Sequence, residues 1–141
     1  MLPCCGPLRS PSLFCNTKEG FRSCFPQEPL SGIEGYPIKT ARDGLDFVAE
    51  ARDAGADNVA LLADLYHLAV NGDDVAAVVR DHAAEFGHIQ IADAPGRGEP
   101  GTGELPVDDL LDAAGRGGYR GLVSPEYEPA VPTGQSFGFL C

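Results

Sequence analysis

The chain has 141 residues, 21 acidic against 10 basic, for a formal net charge of −11. So acidic a chain repels phosphate backbones and anionic membranes, which argues against nucleic-acid and membrane partners. Hydrophobic residues make up 43% of it in regular order, against disorder, and no apolar run approaches the ~20 residues of a membrane span.

Residues 1–26 form an irregular segment rich in Pro, Cys and Ser, with no helical or strand period. Residues 1–18 lack acids and carry Arg9, Ser10, Ser12 and Lys18. That is faintly like a transit peptide, but Pro-rich and not amphipathic. No basic start followed by an apolar stretch marks a secretory signal, and the chain is expected in the cytoplasm. Cys4, Cys5, Cys15 and Cys24 crowd this segment and Cys141 ends the chain. No Cys-x-x-Cys pair or zinc spacing is present, so the cysteines are expected to hold neither a metal nor a disulfide.

From Gln27 onward the text repeats strand, loop and helix. Thr40 and Asp43 predict a capping box. Leu45, Val48, Ala49 and Arg52 then mark one helix face, and Gly55 ends the helix. Val59 to Ala63 is a short apolar run stopped by Asp64, as in a buried parallel strand. Asp73 and Asp74 open a second helix with a stripe of Val75, Val78, Val79, His82, Ala83 and Phe86, ended by Gly87. His88 to Ala92 predicts the next strand, with Ile89 and Ile91 on one face and Gln90 on the other. A Pro- and Gly-rich loop runs from Ala94 to Gly103. Pro106 suits a first helical turn, before the apolar face of Leu110, Leu111 and Ala114. Gly121 to Ser124 is the last strand, followed by Pro125 and Glu126. Residues 20–27 make a poor buried strand, because Pro26 lacks the donor that a central strand needs. Alternation of this kind predicts an α/β fold with three to four parallel βα units. A closed ring of eight such units needs ~250 residues, so only a part of one fits here.

Polar residues stand at the strand ends. Glu28, Asp64, Gln90 and Glu126 follow one another at 36, 26 and 36 residues, about one βα unit each. Parallel strands carry their C-terminal ends to one face of the sheet, so these side chains converge. Three carboxylates and an amide oxygen are hard ligands suited to Mg²⁺ or Mn²⁺. Each residue also has a plainer role, since an Asp at a strand end commonly caps the next helix.

The wording around these positions carries a resemblance. Glu28-Pro29-Leu30-Ser31, Tyr36-Pro37-Ile38-Lys39-Thr40, Asp64-Leu65-Tyr66-His67, Gly87-His88-Ile89-Gln90-Ile91-Ala92-Asp93 and the run from Pro95 to Gly103 stand in order. With Glu126-Tyr127, Pro129 and the tail from Ser136 to Leu140, the chain resembles the hydroxypyruvate isomerase family. That family belongs to the xylose isomerase-like TIM-barrel sugar isomerases and epimerases. The resemblance implies that residues 27–141 are the C-terminal half of such a barrel.

It also implies roles. The metal ligands would be Glu28, Asp64, Gln90 and Glu126, and the acid/base pair would be Glu28 and Glu126. His67 and Arg97 would contact the substrate, Arg97 by a bidentate grip on a carboxylate. A second reading makes His67 a donor to one of the carboxylates. His82 and His88 read as structural, and Glu99 as a brace of its loop. The implied reaction interconverts hydroxypyruvate and 2-hydroxy-3-oxopropanoate. The alternatives are a related ketose epimerase, or a non-catalytic half-barrel that completes itself as a homodimer.

Overall fold

Three apolar runs and the helices between them build an open, all-parallel sheet. The computed structural model describes residues 14–17 and 20–140, with side chains from Cys24 onward. The strands are β1 (Phe14–Thr17), β2 (Gly20–Ser23), β3 (Phe25–Gln27), β4 (Val59–Asp64), β5 (Phe86–Ile91) and β6 (Val123–Pro125). The α-helices are α1 (Ala41–Asp53), α2 (Leu65–Val70), α3 (Val75–His82) and α4 (Val107–Arg116). β3, β4, β5 and β6 lie side by side in chain order, all parallel. Each parallel pair needs a crossover, and the helices supply it. The fold class is therefore α/β with about four parallel units, as the alternation predicts.

Successive strand residues point to opposite faces. Leu61, Ala63, Ile89 and Ile91 join the core with Ala41, Val79, Leu110 and Ala114 of the helices. Leu61, Leu65, Leu68, Val79 and Ile89 are fully buried, each worth about 1.5–3 kcal/mol of apolar burial. α1 comes close enough to β4 that a Cβ on Gly44 would stand 2.5 Å from Leu61 Cδ1. The other face carries polar groups in register. Asp64 pairs with Gln90, Gln90 with Ser124, and Leu62 with His88.

Several expectations are corrected. Phe86 does not close the second helical stripe; α3 stops at His82, a 3₁₀ turn follows, and Phe86 begins β5. Gly87 is a strand residue, unmatched where Leu61 faces Phe86 and Leu62 faces His88. Such a bulge looks like a helix stop in sequence because both favour glycine. α2 has no counterpart in the sequence pattern. It is one and a half turns long, too short for a period to show.

Residues 25–27 do form a strand, tolerated with Pro26 because β3 lies at the sheet's edge. β1 and β2 form an antiparallel pair in a stretch that shows no strand period. Contrary to expectation, Cys24 is disulfide-bonded, since spacing along the chain does not reveal which thiols meet in space. The side chains of the other cysteines lie outside the described residues.

Candidate functional site

The C-terminal ends of the four parallel strands bring the predicted polar residues together. Asp64 ends β4 fully buried. Its Oδ1 accepts from the backbone N–H groups of Tyr66 at 2.9 Å and His67 at 3.2 Å, capping α2. The plainer, capping role of Asp64 is thus met by one oxygen, while the other, Oδ2, is buried without a hydrogen-bond partner. Gln90 Nε2 donates to Glu126 Oε2 at 2.5 Å, leaving Gln90 Oε1 buried and unpartnered as well. Two orphaned oxygens in one buried cluster are costly, about 1–3 kcal/mol each, unless something else meets them.

Glu28 follows β3. Its backbone carbonyl accepts from Tyr36 Oη at 3.0 Å, and Gln27 Nε2 donates to the same hydroxyl at 2.8 Å. Burial, then the nearby Asp64 and Glu126 carboxylates, push the Glu28 carboxyl up to about 7, against the pull of Arg97. Burial likewise raises Asp64, opposed by the N–H groups and ring of His67. These shifts mark an acid cluster short of positive charge.

His67 stands between the two acids. Its Nε2 is 4.0 Å from Glu28 Oε1 and 3.9 Å from Asp64 Oδ2. The Ser31 backbone N–H donates to Nδ1 at 3.1 Å, and Ser31 Oγ lies 2.7 Å from the same atom. Burial pulls the ring below its usual pKa, chiefly opposed by Asp64. Glu28, Asp64 and His67 each bring a ligand-capable atom within 4.8 Å of the others, a grouping able to hold a divalent cation.

Arg97 reaches the cluster from the loop after β5. Its guanidinium donates to Glu126 Oε1 at 2.6 Å and lies 5.4 Å from the centre of the Tyr66 ring. The residue has φ 54°, left-handed backbone that is strained for a side chain other than glycine, by of order 1–3 kcal/mol. The Glu128 N–H bonds the Arg97 carbonyl at 2.8 Å and helps hold it there. Buried Asp93 organises the same loop, accepting from the N–H groups of Ala94, Gly101 and Leu105 at 2.8–2.9 Å. Burial alone would raise its pKa, but these N–H groups together with that of Gly103 hold it below the usual range. A Cβ on Gly103 would collide with Ala94 O and stand 2.5 Å from Asp93 Oδ1. Glu99 braces the loop, accepting from the Ala130 N–H at 3.0 Å.

All six predicted residues thus fall in one place: Glu28, Asp64, Gln90 and Glu126 at the strand ends, with His67 and Arg97 over them. His82 pairs with Glu85 on the helical side, and His88 bonds Ser124 within the sheet. Sequence reading missed Asp93, Ser31 and Tyr66 as parts of the site. An Asp heading a Pro- and Gly-rich loop was a signal for Asp93. Ser31 had none, because its contact lies 36 residues away in the chain.

Residues 27–141 match the family model for the xylose isomerase-like TIM barrel. A Streptomyces coelicolor protein named "Putative hydroxypyruvate isomerase" is 48% identical over 107 residues, 74% of this chain and 38% of its own length. The hydroxypyruvate isomerase of Escherichia coli is 34% identical over 108 residues, 75% of this chain and 41% of its own. Among solved structures, an AP endonuclease, family 2, from Brucella melitensis superposes with TM-score 0.72 at 32% identity, covering 80% of this chain and 43% of that one. The 3-keto-D-glucoside 4-epimerase of E. coli superposes with TM-score 0.69 at 27% identity, covering 77% and 40%. The chain spans about two fifths of the length of these relatives. With the family model matched from the end of β3 through β6 and the polar residues gathered at the strand ends, the chain belongs to the xylose isomerase-like TIM barrel family, with hydroxypyruvate isomerases among its homologues.

Proposed function

We propose that this site serves a metal-assisted isomerase interconverting hydroxypyruvate and 2-hydroxy-3-oxopropanoate. The observation that carries this is the pair of buried, unpartnered oxygens, Asp64 Oδ2 and Gln90 Oε1, in a cluster with two further carboxylates. The donor set fits a hard divalent cation, Mg²⁺ or Mn²⁺, held by Glu28, Asp64, Gln90 and Glu126. Such a cation would supply Lewis acidity to the substrate's carbonyl.

The residues do the rest. Arg97 orients the substrate by its carboxylate, with Tyr66 supporting the guanidinium face. One of Glu28 and Glu126 takes a proton from the hydroxymethyl carbon. The C–H electron pair becomes the carbon–carbon double bond and the carbonyl pair moves onto oxygen. The carboxylate pair returns a proton to the adjacent carbon at the expense of the double bond, the hydroxyl oxygen becomes the new carbonyl, and its proton passes to the former carbonyl oxygen, which completes the exchange. Oxidation level moves within one molecule, so no redox cofactor is called for.

The test is an isomerase assay with hydroxypyruvate beside thermal unfolding with and without excess Mn²⁺. A melt that rises with Mn²⁺ but not in Glu126→Ala, together with turnover of hydroxypyruvate, is the expected result. Turnover of a ketohexose and none of hydroxypyruvate would select the epimerase reading instead. A different reading, a half-barrel that works only as a homodimer, is favoured by the placement of β3 and β6 at the two edges of the four-stranded sheet, unpaired on their outer sides among the described residues, where Phe25 and Val123 are exposed. It predicts activity that rises with protein concentration and tracks the dimer in sedimentation.

A further inference from the structure

We propose that the backbone N–H of Ser31 fixes His67 as its Nε2–H tautomer, so that the ring is a hydrogen-bond donor aimed between Glu28 and Asp64 and not a metal ligand. The isomerase reading is needed only to name the oxygen that receives this bond.

The Ser31 N–H points at Nδ1 from 3.1 Å. A backbone N–H can only donate, so Nδ1 must present its lone pair. In a neutral imidazole the proton then sits on the other nitrogen. The Ser31 hydroxyl, 2.7 Å from Nδ1, can donate to the same lone pair but cannot replace the direction imposed by the backbone. The ring itself is 5% exposed and meets the edge of Tyr66, with centroids 5.2 Å apart, so it cannot turn over freely.

The Nε2–H faces Glu28 Oε1 at 4.0 Å and Asp64 Oδ2 at 3.9 Å. Both are beyond hydrogen-bond reach. Its proton is therefore aimed at the gap between the two acids and committed to neither. A metal ligand needs a lone pair at that position, and this nitrogen has none. The grouping of Glu28, Asp64 and His67 is then two ligands and a donor, and the oxygens of Gln90 and Glu126 are left to complete the set. A fixed donor in that gap suits a substrate oxygen on which negative charge develops as the proton leaves carbon. Ser31 is thus a positioning residue acting through His67.

The deciding measurement is a long-range ¹H–¹⁵N correlation on the uniformly labelled full chain near neutral pH. Its three histidines are assigned with His82→Gln and His88→Gln. The expected result is a bare Nδ1 and a protonated Nε2 at His67, unchanged on adding Mg²⁺. The same pattern is expected in Ser31→Ala, which loses the hydroxyl and keeps the N–H. A protonated Nδ1, loss of the Nε2 proton when Mg²⁺ is added, or a switch of tautomer in Ser31→Ala would each overturn the assignment. No substrate is involved, so failure of the isomerase reading leaves this result standing. In His67→Gln, saturating Mg²⁺ should still raise the melting temperature, while kcat falls by about 10–100-fold. A His67→Gln protein that melts cooperatively but no longer responds to Mg²⁺, where the unaltered chain does, would return the ring to the ligand set.

Discussion

The two halves of the site are built on opposite terms. On the β3–β4 side, Glu28 and Asp64 face each other with only a neutral-leaning imidazole between them, and both are harder to ionise than usual. On the β5–β6 side, Glu126 is half-exposed and already neutralised by Arg97 and bonded by Gln90. The first half stores unfavourable charge that a cation would relieve. In the second the charges are already paired, until something competes for Arg97 or Glu126. A binding site of this kind trades stability for preorganisation on one side and keeps its charges paired on the other.

The largest effect should come from the strained half. Excess Mn²⁺ at a hundred times its dissociation constant should stabilise the chain by about 2.7 kcal/mol. Asp64→Asn keeps a capping oxygen for α2 while removing the buried charge. It should lose the Mn²⁺ response entirely yet melt no lower than the unaltered protein without metal. Asp64→Ala should also lose the cap, lowering stability by a further ~1 kcal/mol. A lower metal-free melting temperature for Asp64→Asn would mean that the carboxylate is not held at a disadvantage.

Next comes the loop that carries Arg97. Gly103→Ala forces a Cβ against Ala94 O and Asp93, and should destabilise by about 1–3 kcal/mol. Hydrogen exchange should show the loss in residues 93–105 and not in β4. Uniform loss of protection would detach the loop from the site.

Charge relief also sets the pH dependence. Glu28 holds its proton up to about 7 in the folded chain, against 4.5 ordinarily. Its contribution to stability is therefore fully present below about pH 4.5 and lost as pH rises through 7. Glu28→Gln should flatten that fall. Metal binding runs the other way, because the ligands must be ionised. The Mn²⁺-induced rise in melting temperature should grow from pH 5.5 to 8. A shift independent of pH would remove Glu28 from the ligands.

The smallest effect on stability belongs to the charge-paired half. Arg97 and Glu126 form a partly exposed pair, so Arg97→Ala should change stability by no more than ~1 kcal/mol. Its effect on catalysis should be selective. KM for a carboxylate-bearing substrate should rise far more than KM for a neutral sugar. Equal losses on both would make Arg97 a brace for Glu126 alone.

Much of this was legible before any coordinates. The Thr40–Asp43 capping box appears as expected, with mutual bonds at 3.1 and 2.9 Å. Ile89 and Ile91 share the buried face opposite Gln90, because a two-residue period survives in any register. The polar strand ends converge because parallel strands leave no other arrangement. Gly87 and Phe86 misled for the opposite reason. A bulge depends on the neighbouring strand's register, and nothing local separates it from a helix stop. α2 was hidden because six residues are too few to display a 3.6-residue period.

By itself, then, the sequence determined the alternation of strand and helix, the buried face of each strand, and which four side chains would meet. Those follow from backbone periodicity and from the direction of parallel strands, both local properties. Only the tertiary structure decided how the meeting residues divide their labour. It turned one oxygen of Asp64 to the α2 cap and left the other unpartnered, set Ser31 against a ring 36 residues away, and held Arg97 in left-handed backbone over Glu126. Hydrogen bonds between distant segments carry direction as well as proximity, and direction is what distinguishes a donor from a ligand.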